Sequence, residues 1–291
     1  MSRIWKWYNK LSYRIRKSIT ISASFIGIVA TLLTILGFSL KDITENGWQR
    51  LLGLIVLFII VYVITNSIIR NTYKSSVSLK IHSMPVVITV GDLFQAAGCK
   101  VIGCDTHFDT RVDDVVISKT SLHGQLILEH GDMDDIKAAV EKRAQELDLQ
   151  KNEEGLYDFP LGTIVSYESN KDKQTYLMVA MTEIRRVNGH YKAYSSMQNY
   201  ESMLHKMWEE IDGVYAGNDI VLPLLGGGIT RFEAGSKERN ALLKCMLCTL
   251  NSSGIVFNAK ITILLFGNVE DIPLYDYKEL FNSFNIGDKN V

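Results

Sequence analysis

The chain has 291 residues, enough for one large domain or two small ones, and its 31 basic and 32 acidic side chains leave it nearly neutral. Nine of the basic residues but only two of the acidic ones precede residue 71. The remainder therefore holds 22 basic against 30 acidic groups, a net charge near −8, which excludes the basic face that a nucleic-acid partner requires.

The first seventeen residues carry Arg3, Lys6, Lys10, Arg14, Arg16 and Lys17 with no acid, interleaved with Trp5, Trp7, Tyr8 and Tyr13. That composition suits a helix lying among lipid headgroups, and equally a disordered basic tail. Residues 18–40 then run for 23 positions without a charge, and residues 51–69 for another 19. About 20 apolar residues cross the hydrocarbon core of a bilayer. The first run is too long for a signal peptide, and the second follows it closely. The expectation is a transmembrane hairpin over 18–70, with helices at 18–40 and 51–69. The intervening loop balances Lys41 and Arg50 against Asp42 and Glu45, whereas Arg70, Lys74 and Lys80 follow the second helix. Positive charge stays in the cytoplasm, so both termini and everything past Arg70 are expected there.

A polar linker, residues 71–78, leads into a domain expected to occupy 79–291. Here strands and helices alternate. "SLKIH" and "VVITV" read as strands. "DMDDIKAAVEKRAQELDL" puts Ile136, Ala139, Val140, Ala144 and Leu147 on one helical stripe. "GTIVSYE" and residues 174–184 read as a long hairpin. A helix follows, with Met197, Tyr200, Leu204, Met207, Trp208 and Ile211 expected to face inward. A strand over 220–225, a helix over 236–250, a strand over 260–266 and a closing helix at "YDYKELFNSF" complete the pattern. Apolar strands alternating with helices imply a mixed α/β sheet with helices on both faces. Cys245 and Cys248 have the spacing of half a zinc site, but no second pair follows, so they read as buried packing. No metal ligand is expected.

The residues most open to chemistry lie in "DIVLPLLGGGITRF", Asp219 to Phe232, where a buried strand runs into three glycines. Ordering Gly-Gly-Gly costs entropy, so the backbone must turn sharply there or something must approach it closely. At the carboxyl end of a parallel strand, backbone N–H groups can converge on phosphate oxygens. A tight turn without a ligand explains the glycines as well. Asp92, in the "GDL" that ends an earlier strand, can accept a hydrogen bond from an exocyclic amine, or can cap a short helix.

Strand–Gly-Asp-Leu, a second strand and a late "LPLLGGGITRF" loop resemble the macro domain, which binds ADP-ribose. The resemblance implies that Asp92 and Leu93 meet adenine. It places Gly226, Gly227, Gly228, Ile229, Thr230, Arg231 and Phe232 around the diphosphate and distal ribose, and Asn268 near the adenine end. Hydrolytic macro domains carry an Asn-Ala-Ala-Asn element where this chain reads "GCDTHFD", so the resemblance favours a binding module without catalytic residues. Asp105 is expected at the distal ribose, and His123, Gly124 and Gln125 at whatever group it bears.

Two spanning helices, a linker and a divergent macro domain are similar to the membrane-anchored effectors of Thoeris anti-phage defence. That resemblance implies a TIR-domain partner making an ADP-ribose-derived messenger, expected to be histidine-linked ADP-ribose, as ligand rather than resident cofactor. It further implies a homo-oligomer that disrupts the bacterial inner membrane and stops growth. The alternative is a membrane-tethered ADP-ribosyl hydrolase or nucleotide-processing enzyme, with Asp105, His107 and His123 as candidates for its acid or base.

Overall fold

A computed structural model describes residues 13–37, 44–72, 76–187, 190–228, 230–232 and 239–267. The chain divides after Ser75 into a helical unit and an α/β unit.

The first unit is an antiparallel pair, α1 (Tyr13–Ile35) and α2 (Gly47–Thr72). Both contain windows long and apolar enough to span a membrane, Ile15–Ile35 and Gly47–Ile69, with mean hydropathies of 2.0 and 2.6. Neither helix follows the limits of its apolar run, because local caps set the ends. Gly37, at φ 83°, closes α1, with the Leu36 and Gly37 N–H groups donating to Leu32 and Thr34 carbonyls. Asn46 Oδ1 accepts from Trp48 N–H and starts α2 four residues ahead of the uncharged run, while Arg50 clamps the Thr44 and Glu45 carbonyls. The seam between the helices buries Ser18 and Ser22, and Ser18 Oγ reaches Asn66 Oδ1 at 3.4 Å. A side chain at Gly27 would meet open space, so that glycine is not needed for the seam.

The second unit begins with β1 (Ser76–Ile81), β2 (Met84–Val90) and β3 (Cys99–Asp105). Next come α3 (Leu122–Gln125), which runs into a π-type turn at Leu126–His130, and α4 (Met133–Glu146). They are followed by β4 (Ile164–Glu168), β5 (Thr175–Val187), β6 (His190–Ser195) and α5 (Met197–Val214). The chain continues through β7 (Ile220–Pro223), β8 (Arg231–Phe232), α6 (Arg239–Ser252) and β9 (Ile261–Leu265). The order across the sheet is β1-β2-β9-β7-β3-β5-β6-β8, and β4 pairs with the first half of β5. β2, β9, β7, β3 and β5 are parallel neighbours, while β1, β4 and β6 pair antiparallel. All five parallel strands thus release their carboxyl ends along one edge. From β3 the chain moves to β5 on one side, and from β7 to β9 on the other, so the crevice between β3 and β7 is the switch point where α/β sheets bind ligands.

Alternation along the strands sends side chains into two cores. On one face Ile102, Cys104, Tyr176 and Met178 pack with Ile136, Val140 and Ala144 of α4. The opposite face is closed by α5 and α6, joined by a hydrogen bond from Trp208 Nε1 to Thr249 Oγ1 at 3.2 Å. The expected inward stripe of α5 holds at Tyr200, Leu204, Met207, Trp208 and Ile211. Met197, in the first turn of α5, is exposed, and Met203 takes a core position instead. Leu147 also lies outside the core, as the C-cap of α4. Cys248 is exposed and Cys245 half-buried, correcting the expectation of buried packing, and no metal-holding group of His, Cys, Asp or Glu occurs among the described residues. The helix expected at residues 275–284 lies outside the described residues.

The short link from β2 to β3 depends on Gly98. It adopts φ 113°, and a Cβ there would stand 2.4 Å from the Asp219 carbonyl oxygen, which accepts the Cys99 N–H at 2.8 Å. Gly98→Ala is therefore expected to destabilise the domain by about 2 kcal/mol or more, combining left-handed strain with a backbone clash. Thermal unfolding of the purified chain reads this directly, and an unchanged midpoint would contradict it.

Candidate functional site

Three chain segments meet at the carboxyl edge of the sheet. The first leaves β2. Asp92 is exposed, and its Oδ1 accepts the Phe94 N–H at 3.0 Å, which folds the loop back. Leu93 turns its side chain into the core. Val90 pairs with Leu265, so Phe266 emerges from β9 beside Gly91 and Asp92. Its ring is 88% exposed. The sequence pattern absorbed Phe266 into a strand; the visible signal was an aromatic residue at a strand exit.

The second segment leaves β3 through a bulge at Cys104 and Asp105. Asp105 is only 5% exposed, and its Oδ1 accepts N–H groups from His107 at 2.8 Å and from Asp109 at 3.4 Å. Asp109 is equally buried. Burial opposes its charge, but the bidentate grip of Arg111 outweighs that and holds the carboxyl below its usual range.

His123 lies near both carboxylates. Ser121 caps the short helix by accepting from the Gly124 N–H at 3.0 Å. A Cβ on Gly124 would stand 2.2 Å from the Ser118 carbonyl oxygen, and Gln125 Nε2 donates to the Thr120 carbonyl at 3.0 Å. Gly124 and Gln125 thus hold the preceding turn against the helix. His123 is different: its imidazole is buried and Nε2 has no hydrogen-bond partner. Burial lowers its pKa, although Asp105 and Asp109 pull the other way, so the ring is neutral at neutral pH. A buried orphan nitrogen of this kind costs free energy until a partner arrives.

The third segment is the glycine loop after β7. The Leu224 N–H donates to the Leu264 carbonyl, and Tyr200 Oη donates to the Leu225 carbonyl, both at 2.9 Å. Gly226 takes φ 75°, and a Cβ there would press the Phe232 and Tyr200 rings at 3.1 and 3.4 Å. Gly227 closes a turn, its N–H donating to Leu224 at 3.1 Å. A Cβ on Gly228 would meet nothing within 4 Å. The three glycines therefore differ: Gly226 is required by backbone conformation, Gly227 belongs to a turn, and Gly228 leaves open space. Phe232 packs edge-on to Tyr200 at 5.6 Å beneath the loop, Thr230 is buried and Arg231 is exposed. Ile229 and Asn268 lie outside the described residues.

This edge belongs to a segment that a family model recognises. The model for the macro domain of Thoeris protein ThsA matches residues 86–265. A curated relative, Thoeris protein ThsA of Bacillus amyloliquefaciens strain Y2, is 31% identical over 263 residues, covering 87% of each chain. The chain belongs to the Thoeris ThsA macro-domain family. Among solved structures, the Oceanobacillus iheyensis macrodomain with ADP is 14% identical, covering 73% of this chain and 97% of that one, with a TM-score of 0.46. The G37V mutant of the same macrodomain with ADPR is also 14% identical, covering 73% and 99%, with a TM-score of 0.48. In this ThsA macro domain the spacing between the β2 exit and the glycine loop is set by parallel pairing through β9 and β7.

A buried neutral histidine makes the fold bind fewer protons than the unfolded chain at mildly acid pH. Stability contributed by neutral His123 is present above its unfolded pKa, about 6.5, and falls as pH drops below it, by at most about 1.4 kcal/mol per pH unit. Unfolding midpoints measured from pH 7 to 5 are expected to fall less steeply for His123→Gln than for the unaltered protein. Parallel slopes would contradict the burial argument.

Proposed function

We propose that this ThsA macro domain is a non-enzymatic receptor for an ADP-ribose-type nucleotide, and that the nucleotide lies along the carboxyl edge from Asp92 to the glycine loop. One observation carries the reading: an exposed acid, an exposed aromatic ring and a pinned, side-chain-free loop lie along the same strand ends. Asp92 and the exposed Phe266 ring, on the neighbouring exits of β2 and β9, suit an adenine, whose amine donates and whose face stacks. The space beside Gly228, where a Cβ would meet nothing within 4 Å, admits the diphosphate. The distal ribose then falls at the β3–β7 switch point, between Asp105 and Thr230, with His123 meeting the group attached to it.

Membership in the Thoeris family supports the rest of the reading. The messenger is an ADP-ribose derivative, histidine-linked ADP-ribose by expectation, made by a TIR-domain partner. The two spanning helices fix the protein in the inner membrane, with both termini and the macro domain in the cytoplasm. Nucleotide binding drives several copies together, since one hairpin has too few helices to enclose a water-filled path, and the membrane is then disrupted. The ligand acts through its greater affinity for the assembled state.

Calorimetric titration of the full chain in detergent with ADP-ribose and its histidine conjugate, followed by chromatography of the ligand, tests this reading. Saturable binding with the nucleotide recovered intact is expected; turnover would favour a hydrolase, and no binding would remove the reading. Gly228→Val is expected to leave the unfolding midpoint unchanged and to abolish binding, because its branches fill space that a Cβ would find empty and that the proposed diphosphate takes. Retained affinity would show that the loop is merely a turn. Phe266→Ala is expected to weaken ADP-ribose binding by about tenfold or more through lost stacking, and equal affinity would place the base elsewhere.

A further inference from the structure

The turn that presents Asp92 is held by rings from elsewhere in the chain. Among the described residues Asp92 has one partner, the Phe94 N–H on Oδ1, so Oδ2 is left for a donor from outside. Phe94 thus closes the turn, and its half-buried ring decides where the turn sits. That ring lies flat on the His130 imidazole, with centroids 4.0 Å apart and planes 6° from parallel. Tyr176 stands beside it at 6.3 Å, tilted by 51°.

One carboxylate ties both neighbouring rings. Asp172, in the turn between β4 and β5, accepts at Oδ2 from Tyr176 Oη and from His130 Nδ1, the latter at 3.2 Å. Its Oδ1 accepts the Gln174 N–H at 3.0 Å. Burial opposes the charge of Asp172, but these bonds outweigh it and hold the carboxyl below its usual range. An ionised acceptor keeps the proton on His130 Nδ1 and fixes the orientation of the ring. The His130 backbone is held as well: it ends the π-type turn at Leu126–His130, and its carbonyl accepts from Ser169 Oγ.

We propose that His130 and Asp172 are positioning residues for adenine recognition. By holding the Phe94 ring, they hold the Asp92 carboxylate where a purine amine can reach it. The proposal rests on the nucleotide reading above and names what fixes the base selectivity of that site. A loop that samples other arrangements binds with an apparent affinity reduced by the fraction of time it spends in the competent one. Loss of the stack therefore costs the contact made through Asp92 and leaves the contacts at the glycine loop as they were.

The full chain in detergent micelles is titrated with ADP-ribose and with the analogue whose purine carries hydrogen in place of the exocyclic amine. The unaltered protein is expected to prefer ADP-ribose by about tenfold, the scale of one hydrogen bond to a charged group. His130→Ala is expected to weaken ADP-ribose binding by about fivefold, the scale of a lost aromatic pair, and to leave affinity for the analogue unchanged. His130→Phe, which keeps a stacked ring, is expected to restore the preference. Should His130→Ala fail to fold, Phe94→Leu, apolar but without a ring, is expected to lose the preference in the same way. A preference that survives loss of the stack, a loss that falls equally on both ligands, or His130→Phe behaving as His130→Ala would overturn the inference and leave the nucleotide reading in place. Equal affinity of the unaltered protein for both ligands would overturn it by moving the base away from Asp92, and no binding of either ligand would remove the nucleotide reading and the inference together.

Discussion

Parallel pairing of β2, β9, β7, β3 and β5 is the constraint on which the site depends. Parallel strands need long crossovers, so each strand enters from one edge and releases its chain at the other. Five exits are thereby gathered into one line. Asp92, Phe266, the glycine loop and Asp105 come from stretches far apart in the chain, and none needs a local motif to meet the others. The register does the work: Val90 opposite Leu265 brings the β2 and β9 exits together, and Pro223 opposite Leu264 brings the glycine loop next to them.

Much of that frame was legible in the chain itself. Uninterrupted apolar runs such as "IVLP" and "ITILL" mark strands covered on both faces, and the 3.6-residue stripes of α4 and α5 mark what covers them. The glycine loop was visible as a place where side chains are absent, but not why. Gly226 answers to a positive φ under two aromatic rings, Gly227 to a turn, and Gly228 to neither, a distinction that exists only in three dimensions. The same holds for Ser-Leu-His-Gly-Gln. Spacing shows a histidine beside a glycine, whereas packing shows that Gly124 and Gln125 brace a turn while His123 lacks a partner. Helix limits in the first unit escaped hydropathy because Asn46 and Gly37, not the apolar run, decide where the backbone starts and stops its helical turns.

Energetics limit what nucleotide binding must accomplish under the proposed function. Moving a receptor from mostly resting to mostly assembled requires about a 10⁴-fold difference in ligand affinity between the two states. A site of backbone contacts and one stacked base differs too little between two arrangements unless part of it is incomplete at rest. His123 supplies that incompleteness: its buried Nε2 has no hydrogen-bond partner, and it lies at the distal end of the proposed ligand. The adenine end then anchors, and the distal end discriminates.

Hydrogen–deuterium exchange on the full chain, with and without saturating ADP-ribose, addresses the central claim most directly. The account requires new amide protection confined to residues 91–94, 105–109, 224–232 and 266–267, the exits of β2, β3, β7 and β9. Saturable binding accompanied by protection elsewhere in the chain, with these four segments exchanging as before, would contradict it.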